Sequence, residues 1–242
     1  MNRLVSGIFG AFFIVLLNNG IQIKAGEPAY KLVESLLSSY PPSEGGRPVR
    51  NLADIVNVTL TFSLLHMDAV NDVDETISVL ATLKHQWTDP FLSWASDPAW
   101  AHIDSISIKS SSLWTPRILH ENNIADQQVV QAFGERSRVI VTKDGRCTWE
   151  PTGIFTSNCK LSLTKFPFDK QTCQIVFTSR LRADFVRIEK ADFGNFSSNV
   201  FGEGSIWSLK SYRHYLAGQN SYNQAYFEVT MSRNVQYFLY NM

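Results

Sequence analysis

Neither sign of charge is in excess. The 242-residue chain carries 22 basic and 22 acidic residues. Nothing in such a balance suggests nucleic acid, which would favour a basic face. Histidine is scarce: His66, His85, His102, His120 and His214 are the five, and none stands in a His-Glu-x-x-His or similar metal-ligand spacing. Gly-x-Ser-x-Gly is absent, and so is a glycine-rich phosphate loop. The local signatures of hydrolases, metalloenzymes and nucleotide enzymes are therefore missing, and no metal or cofactor is called for. Neither a repeat nor a low-complexity tract interrupts the chain. Cysteine is limited to Cys147, Cys159 and Cys173, an odd number that leaves at least one thiol outside any pair. Cys147 reads as a reactive or intermolecular thiol, or as a small buried hydrophobe.

The pronounced apolar run, Gly7 to Leu17, is too short to cross a bilayer as a helix. With Arg3 before it and the small pair Ala25-Gly26 after it, residues 1–25 read as a secretory signal peptide. Secretion makes a disulfide chemically reasonable. One domain then fills residues 26–236.

Within it, Leu32, Val33, Leu36, Leu37 and Tyr40 recur at helical spacing, and Pro41-Pro42 stops the helix. Alternation takes over afterwards. Val56, Val58, Leu60, Phe62 and Leu64 interleave with Asn57, Thr59, Thr61 and Ser63, and Ile77, Val79, Ala81 and Leu83 repeat the pattern. Val139 to Thr142 and Arg146 to Trp149 flank an Asp144-Gly145 turn, a hairpin signal. Ile175 to Phe177, Ile206 to Leu209 and Ala225 to Met231 read as further strands. Many short strands behind a single helix predict an all-β fold, an immunoglobulin-like twisted sandwich of about ten strands with an N-terminal α-helix. Asn57-Val58-Thr59 and Asn195-Phe196-Ser197 are glycan acceptor triplets.

Thirteen residues separate Cys159 from Cys173. Leu161 and Leu163 alternate with polar residues, which predicts a half-buried strand, and Phe166-Pro167-Phe168-Asp169 predicts a tight turn. The two cysteines read as a bridge across this loop or as two separate buried thiols. This stretch resembles the signature loop of the Cys-loop, or pentameric ligand-gated ion channel, superfamily. Trp87-Thr88-Asp89…Trp94, Leu113-Trp114-Thr115-Pro116 and Asp144-Gly145…Trp149…Pro151 extend the resemblance to the extracellular domain of nicotinic-type receptors and acetylcholine-binding proteins.

The resemblance implies a Cys159–Cys173 disulfide, a homo- or hetero-pentamer, and a small neurotransmitter-like ligand held between subunits in an aromatic box. On the principal face it points to Glu121, Arg180, Tyr215 and Tyr222; on the complementary face, to Trp87, Ile140, Thr148 and Glu150, with Trp94 in the core. Glu121 and Arg180 stand where nicotinic subunits have aromatics, and Ala217-Gly218 replaces the vicinal cysteines. A guanidinium in the box would repel a quaternary amine. Like charges about 4 Å apart cost on the order of 4 kcal/mol at an effective dielectric near 20. Glu121 would neutralise Arg180, stay free for an ammonium, or leave Arg180 to take a ligand carboxylate. Phe168 and Asp169 at the loop tip, and Arg233, are the implied coupling residues. Residues 237–242 resemble the start of a first membrane helix, which implies a channel subunit's domain on the extracellular side of the cell membrane. A secreted, channel-free binding pentamer is the alternative.

Overall fold

The computed structural model describes residues 29–41, 46–124, 137–196, 200–202, 205–219 and 222–236. The expected signal peptide and the membrane-entry segment 237–242 lie outside these residues. The chain opens with helix α1 (Ala29–Ser38). Among the described residues eleven strands follow: β1 Val56–Asn71, β2 Thr76–Thr88, β3 Ser105–Lys109, β4 Ile118–His120, β5 Arg138–Thr142, β6 Arg146–Trp149, β7 Thr152–Asn158, β8 Lys170–Ser179, β9 Val186–Phe193, β10 Trp207–Gln219 and β11 Tyr222–Arg233. They form a larger sheet in the order β3-β5-β6-β2-β1-β9, with β7 also paired to β2, and a four-stranded sheet in the order β10-β11-β8-β4. The two sheets make a sandwich, as the alternating pattern predicts. No helix among the described residues is long and apolar enough to cross a membrane.

Alternation decides what enters the core. Val56, Val58, Leu60, Phe62 and Leu64 of β1 are buried, and the polar residues between them face out or lie half-buried. The strand runs past Leu64 to Asn71 because two register shifts, at Leu64/His66 and Met67/Ala69, let the ladder with β2 continue. Phe62 meets Phe155 of the same sheet at 5.6 Å between ring centroids, and Phe177 and Phe227 of the other sheet at 5.7 and 5.2 Å. Each such tilted or edge contact adds about 0.5–1.5 kcal/mol beyond the area it buries.

The helix is tied to the sandwich by more than apolar packing. Leu32 is buried, and just past the helix Tyr40 donates to Asp89 Oδ2 at 2.6 Å while accepting from the Trp114 amide at 3.2 Å. Burial raises both the Tyr40 and the Asp89 pKa. The β5–β6 turn needs its glycine: Gly145 has φ +80°, and a Cβ there would stand 2.5 Å from the Asp89 carbonyl oxygen. Cys147 is buried, and burial pushes its thiol pKa up, so it sits in the core as a hydrophobe. Trp94 is also in the core, its indole donating to the Ile103 carbonyl at 2.9 Å.

Two core histidines make stability pH-dependent. His85 stacks on Trp149 with centroids 4.8 Å apart, and His120 bonds Ser157 Oγ through Nε2 at 2.8 Å. Burial lowers each pKa to about 4. In the unfolded chain both titrate near 6.5, so between these values the unfolded state binds more protons. The stabilisation is complete above about pH 6.5 and is lost as pH falls toward 4, at about 1.4 kcal/mol per histidine per pH unit. Urea unfolding midpoints are expected to fall steeply from pH 6.5 to 5, and His120→Asn is expected to remove about half of that fall.

Candidate functional site

The Cys159–Cys173 disulfide is present and links the end of β7 to β8. In the chain-entropy model, closing a loop of this length contributes roughly 3 kcal/mol. The expected strand at Leu161 and Leu163 does not form. Instead the Gln171 carboxamide pairs with the backbone of Ser162, accepting from its amide at 3.0 Å and donating to its carbonyl at 2.8 Å. A side chain takes the groups a neighbouring strand would have taken, so Leu161 is buried while Leu163 faces solvent. The turn at Phe166-Pro167-Phe168 is present, with a cis Phe166–Pro167 bond.

Asp169 corrects the expectation of a tip residue. Phe168, 70 % exposed, and Phe166, 50 %, stand at the tip, whereas Asp169 is 2 % exposed. Its carboxylate accepts from Arg233 Nε at 2.9 and 3.0 Å and from Gln171 at 2.6 Å. The same guanidinium donates to Asp72 Oδ2 at 2.6 Å and lies over the rings of Trp207 and Phe166, 4.3 and 5.0 Å from their centroids. One arginine at the end of β11 thus joins the Cys159–Cys173 loop to the end of β1. Charges taken out of water at such a depth stay there only when paired.

On the outward face of the small sheet, Tyr215 of β10 stacks on Tyr226 of β11, 4.8 Å apart and 4° from parallel. Gln174 of β8 donates to the Tyr215 hydroxyl at 3.1 Å and to Glu228 at 3.0 Å, and Arg213 forks onto the same Glu228 carboxylate. These bonds, that of Arg213 foremost, hold the Glu228 pKa below the usual carboxylate range. At the upper end of the stack, the Tyr226 hydroxyl donates to Gln224 at 2.8 Å and Gln224 donates to Glu121 at 2.6 Å. Asn122 positions Glu121 by extending the ladder past β4, accepting from the Val176 amide and donating to the Gln174 carbonyl. A groove of about 470 Å³ opens beside this row, lined by Glu121, Gln174, Gln224, Tyr226 and Lys160.

Arg180 does not join this row. Among the described residues no ion pair links it to Glu121: the Glu121 amide bonds the Val176 carbonyl, whereas the Arg180 amide bonds the Arg117 carbonyl. Four residues of strand separate Val176 from Arg180, about 13 Å. The Glu121 carboxylate therefore stands beside the tyrosines without Arg180, which lies exposed at the far edge. Tyr222 opens β11 opposite Gln219 at the hairpin end.

The outward face of the large sheet carries Ile140, Thr148 and Glu150. Ile140 is 51 % exposed and pairs in register with Thr148, and Lys84 meets Glu150 at 3.2 Å. Trp87 corrects the reading that placed it beside them. It is 3 % exposed and points inward with Leu83 and His85, meeting Trp114 edge-to-face at 6.1 Å. Strand parity is the reason, since Trp87 shares the odd positions of Ile77, Val79, Ala81 and Leu83. Thr82, Lys84 and Gln86 occupy the outward positions instead. The same parity, present in the sequence, was sufficient to find them.

Comparison with known proteins now adds to this geometry. Residues 29–235 match the profile of the neurotransmitter-gated ion-channel ligand binding domain. This chain belongs to that family. It is 30 % identical over 225 residues to acetylcholine receptor subunit alpha-1-B of Xenopus laevis, covering 88 % of this chain and 47 % of that protein. It is 33 % identical over 150 residues to acetylcholine receptor subunit epsilon of Homo sapiens, covering 62 % of this chain and 29 % of that protein. The chain thus spans less than half the length of either relative.

In this ligand-binding domain the sequence-derived residues fall into three groups. Glu121 and Tyr215 come together on the small sheet, joined by Tyr226 and Gln224, which sequence reading passed over. The alternation of Tyr226, Glu228 and Thr230 was the available signal. Ile140, Thr148 and Glu150 share the large sheet's outward face. Asp169 and Arg233 meet at the base of the sandwich with Asp72. Removing Arg233 strands two carboxylates, one of them fully buried. Arg233→Ala is expected to cost about 3–5 kcal/mol in urea unfolding, and Arg233→Lys, which keeps the charge but loses the fork, is expected to recover part of it.

Proposed function

We propose that this chain is the extracellular ligand-binding part of a pentameric neurotransmitter-gated channel subunit. A small ligand binds between the small-sheet face of one subunit and the large-sheet face of the next. Glu121, Tyr215 and Tyr226 form the principal side, with Tyr222 and Arg180 at its margins. Ile140, Thr148 and Glu150 stand on the complementary side. The observation that carries this reading is the Tyr215–Tyr226 stack with the Glu121 carboxylate tethered at its edge through Gln224. An anionic group beside two electron-rich rings suits a ligand ammonium, each desolvated cation–π contact contributing roughly 1–2 kcal/mol. Arg180 stands away from this row, and the guanidinium that does reach it, Arg213 at 5.6 Å from the Tyr215 ring centroid, is paired with the Glu228 carboxylate.

Occupancy would shift the β10–β11 hairpin, and Arg233 at the end of β11 would pass the shift to the Cys159–Cys173 loop, where Phe168 meets the membrane part. The acetylcholine receptor subunits to which the chain is similar support the ligand class and the assembly.

Calorimetric titration of the secreted pentamer with acetylcholine tests the reading. Saturable binding is expected, weakened about tenfold or more by Glu121→Gln, which removes a charge-assisted partner, and by Tyr215→Ala. Binding that is unchanged by both substitutions, or a chain that stays monomeric, would overturn it.

A further inference from the structure

A second groove, on the outward face of the large sheet, has no part in the ligand reading. We propose that Asn57 carries an N-linked oligosaccharide and that this sugar lies in the groove. Its volume is about 990 Å³, and Asn57 itself lines it. Strand alternation places the acceptor asparagine and the Thr59 hydroxyl on one outward face, with Val58 buried between them. Asn57 is exposed there.

The groove has the chemistry of a saccharide site. Its floor is polar, made by Thr59, Gln86, Arg146 and Glu189, and its wall is apolar where Val49 and Pro90 stand. Sugar rings offer the complementary pair of surfaces, hydroxyl edges and a carbon face. The wall is held in place: Arg50 donates to the Pro90 carbonyl at 3.0 Å and covers the Phe91 ring at 5.6 Å, while Arg47 donates to the Leu52 carbonyl at 2.9 Å. The loop before β1 is thereby folded back along the acceptor instead of leaving it on an open sheet.

Attachment uses a lipid-diphosphate-linked oligosaccharide as donor. The Asn57 side-chain nitrogen forms a bond to the sugar's anomeric carbon, the bond from that carbon to the lipid diphosphate breaks, and the nitrogen gives up one proton to the transferring enzyme. A sugar tethered at Asn57 is held at high local concentration over the floor, so weak hydrogen bonds suffice to seat it. The register sets the attachment point apart from Ile140 on the complementary face. Thr59 lies opposite Gln86, Gln86 opposite Thr148, and Thr148 opposite Ile140. Three strand spacings and two residues of strand put Asn57 about 16 Å from Ile140, and Ile140, Thr148 and Glu150 are not in the groove lining.

The test uses the full chain secreted from eukaryotic cells and needs no ligand, so its failure is separate from failure of the binding reading. Peptide mass spectrometry is expected to find the oligosaccharide mass on Asn57, lost in Thr59→Ala. Endoglycosidase release is expected to be at least tenfold slower from the native protein than from the unfolded one. Replacing Gln86 and Arg146 together by alanine is expected to bring the native rate toward the unfolded rate. A bare Asn57 overturns the proposal. Equal release from native and unfolded protein, or native resistance indifferent to the double substitution, overturns the seating in the groove.

Discussion

Phe62 touches Phe155 on its own sheet and Phe177 and Phe227 on the other, and that contact sets the facing of four strands at once. A strand buried on one side has no freedom to slip by one residue, because every side chain would change sides. With Phe62 inward, Asn57 and Thr59 must face out. With Phe177 inward, Gln174 and Val176 take the outer surface, and with Phe227 inward, so do Tyr226 and Glu228. The polar row on the small sheet and the polar floor on the large one are thus the reverse sides of one aromatic cluster. Neither could be moved without dismantling the core.

The lower end of the sandwich follows a different rule. There the joint is ionic: Arg233 holds Asp169 and Asp72 with two aromatic rings flanking its guanidinium. Apolar contacts tolerate sliding, whereas a forked guanidinium on a buried carboxylate has one good geometry. The Cys159–Cys173 loop is therefore attached to the last strand at a defined angle, and its exposed phenylalanines are presented by a base that does not tilt independently.

Much of this was legible in the residues. The alternation in Val56 to Leu64, the Asp144-Gly145 turn, the helix ending just before Tyr40 and the loop between the paired cysteines each follow from local pattern. Trp87 was legible too, from its parity with Ile77 and Val79, yet a resemblance to a box tryptophan outweighed that parity. Other features depended on partners far away in the chain. Asp169 is buried because Arg233 lies 64 positions on and Asp72 reaches the same guanidinium. Leu161 and Leu163 look like strand, but a glutamine ten residues past Leu161 takes the backbone hydrogen bonds of Ser162 between them. Glu121 and Arg180 looked like neighbours because both stand at box positions. The register of β4 against β8, which no single sequence states, sets them a dozen ångströms apart.

Strand β11 has two ends with different company. Near one, Gln224 and Tyr226 hold the tethered carboxylate; at the other, Arg233 grips the buried Asp169 and the partly exposed Asp72. Gln224 and Arg233 stand nine positions apart on extended chain, about 30 Å, locked to β8 pair by pair from Gln224 through Ser232. An extended backbone cannot lengthen, so this strand fixes the separation between the carboxylate row and the ionic joint.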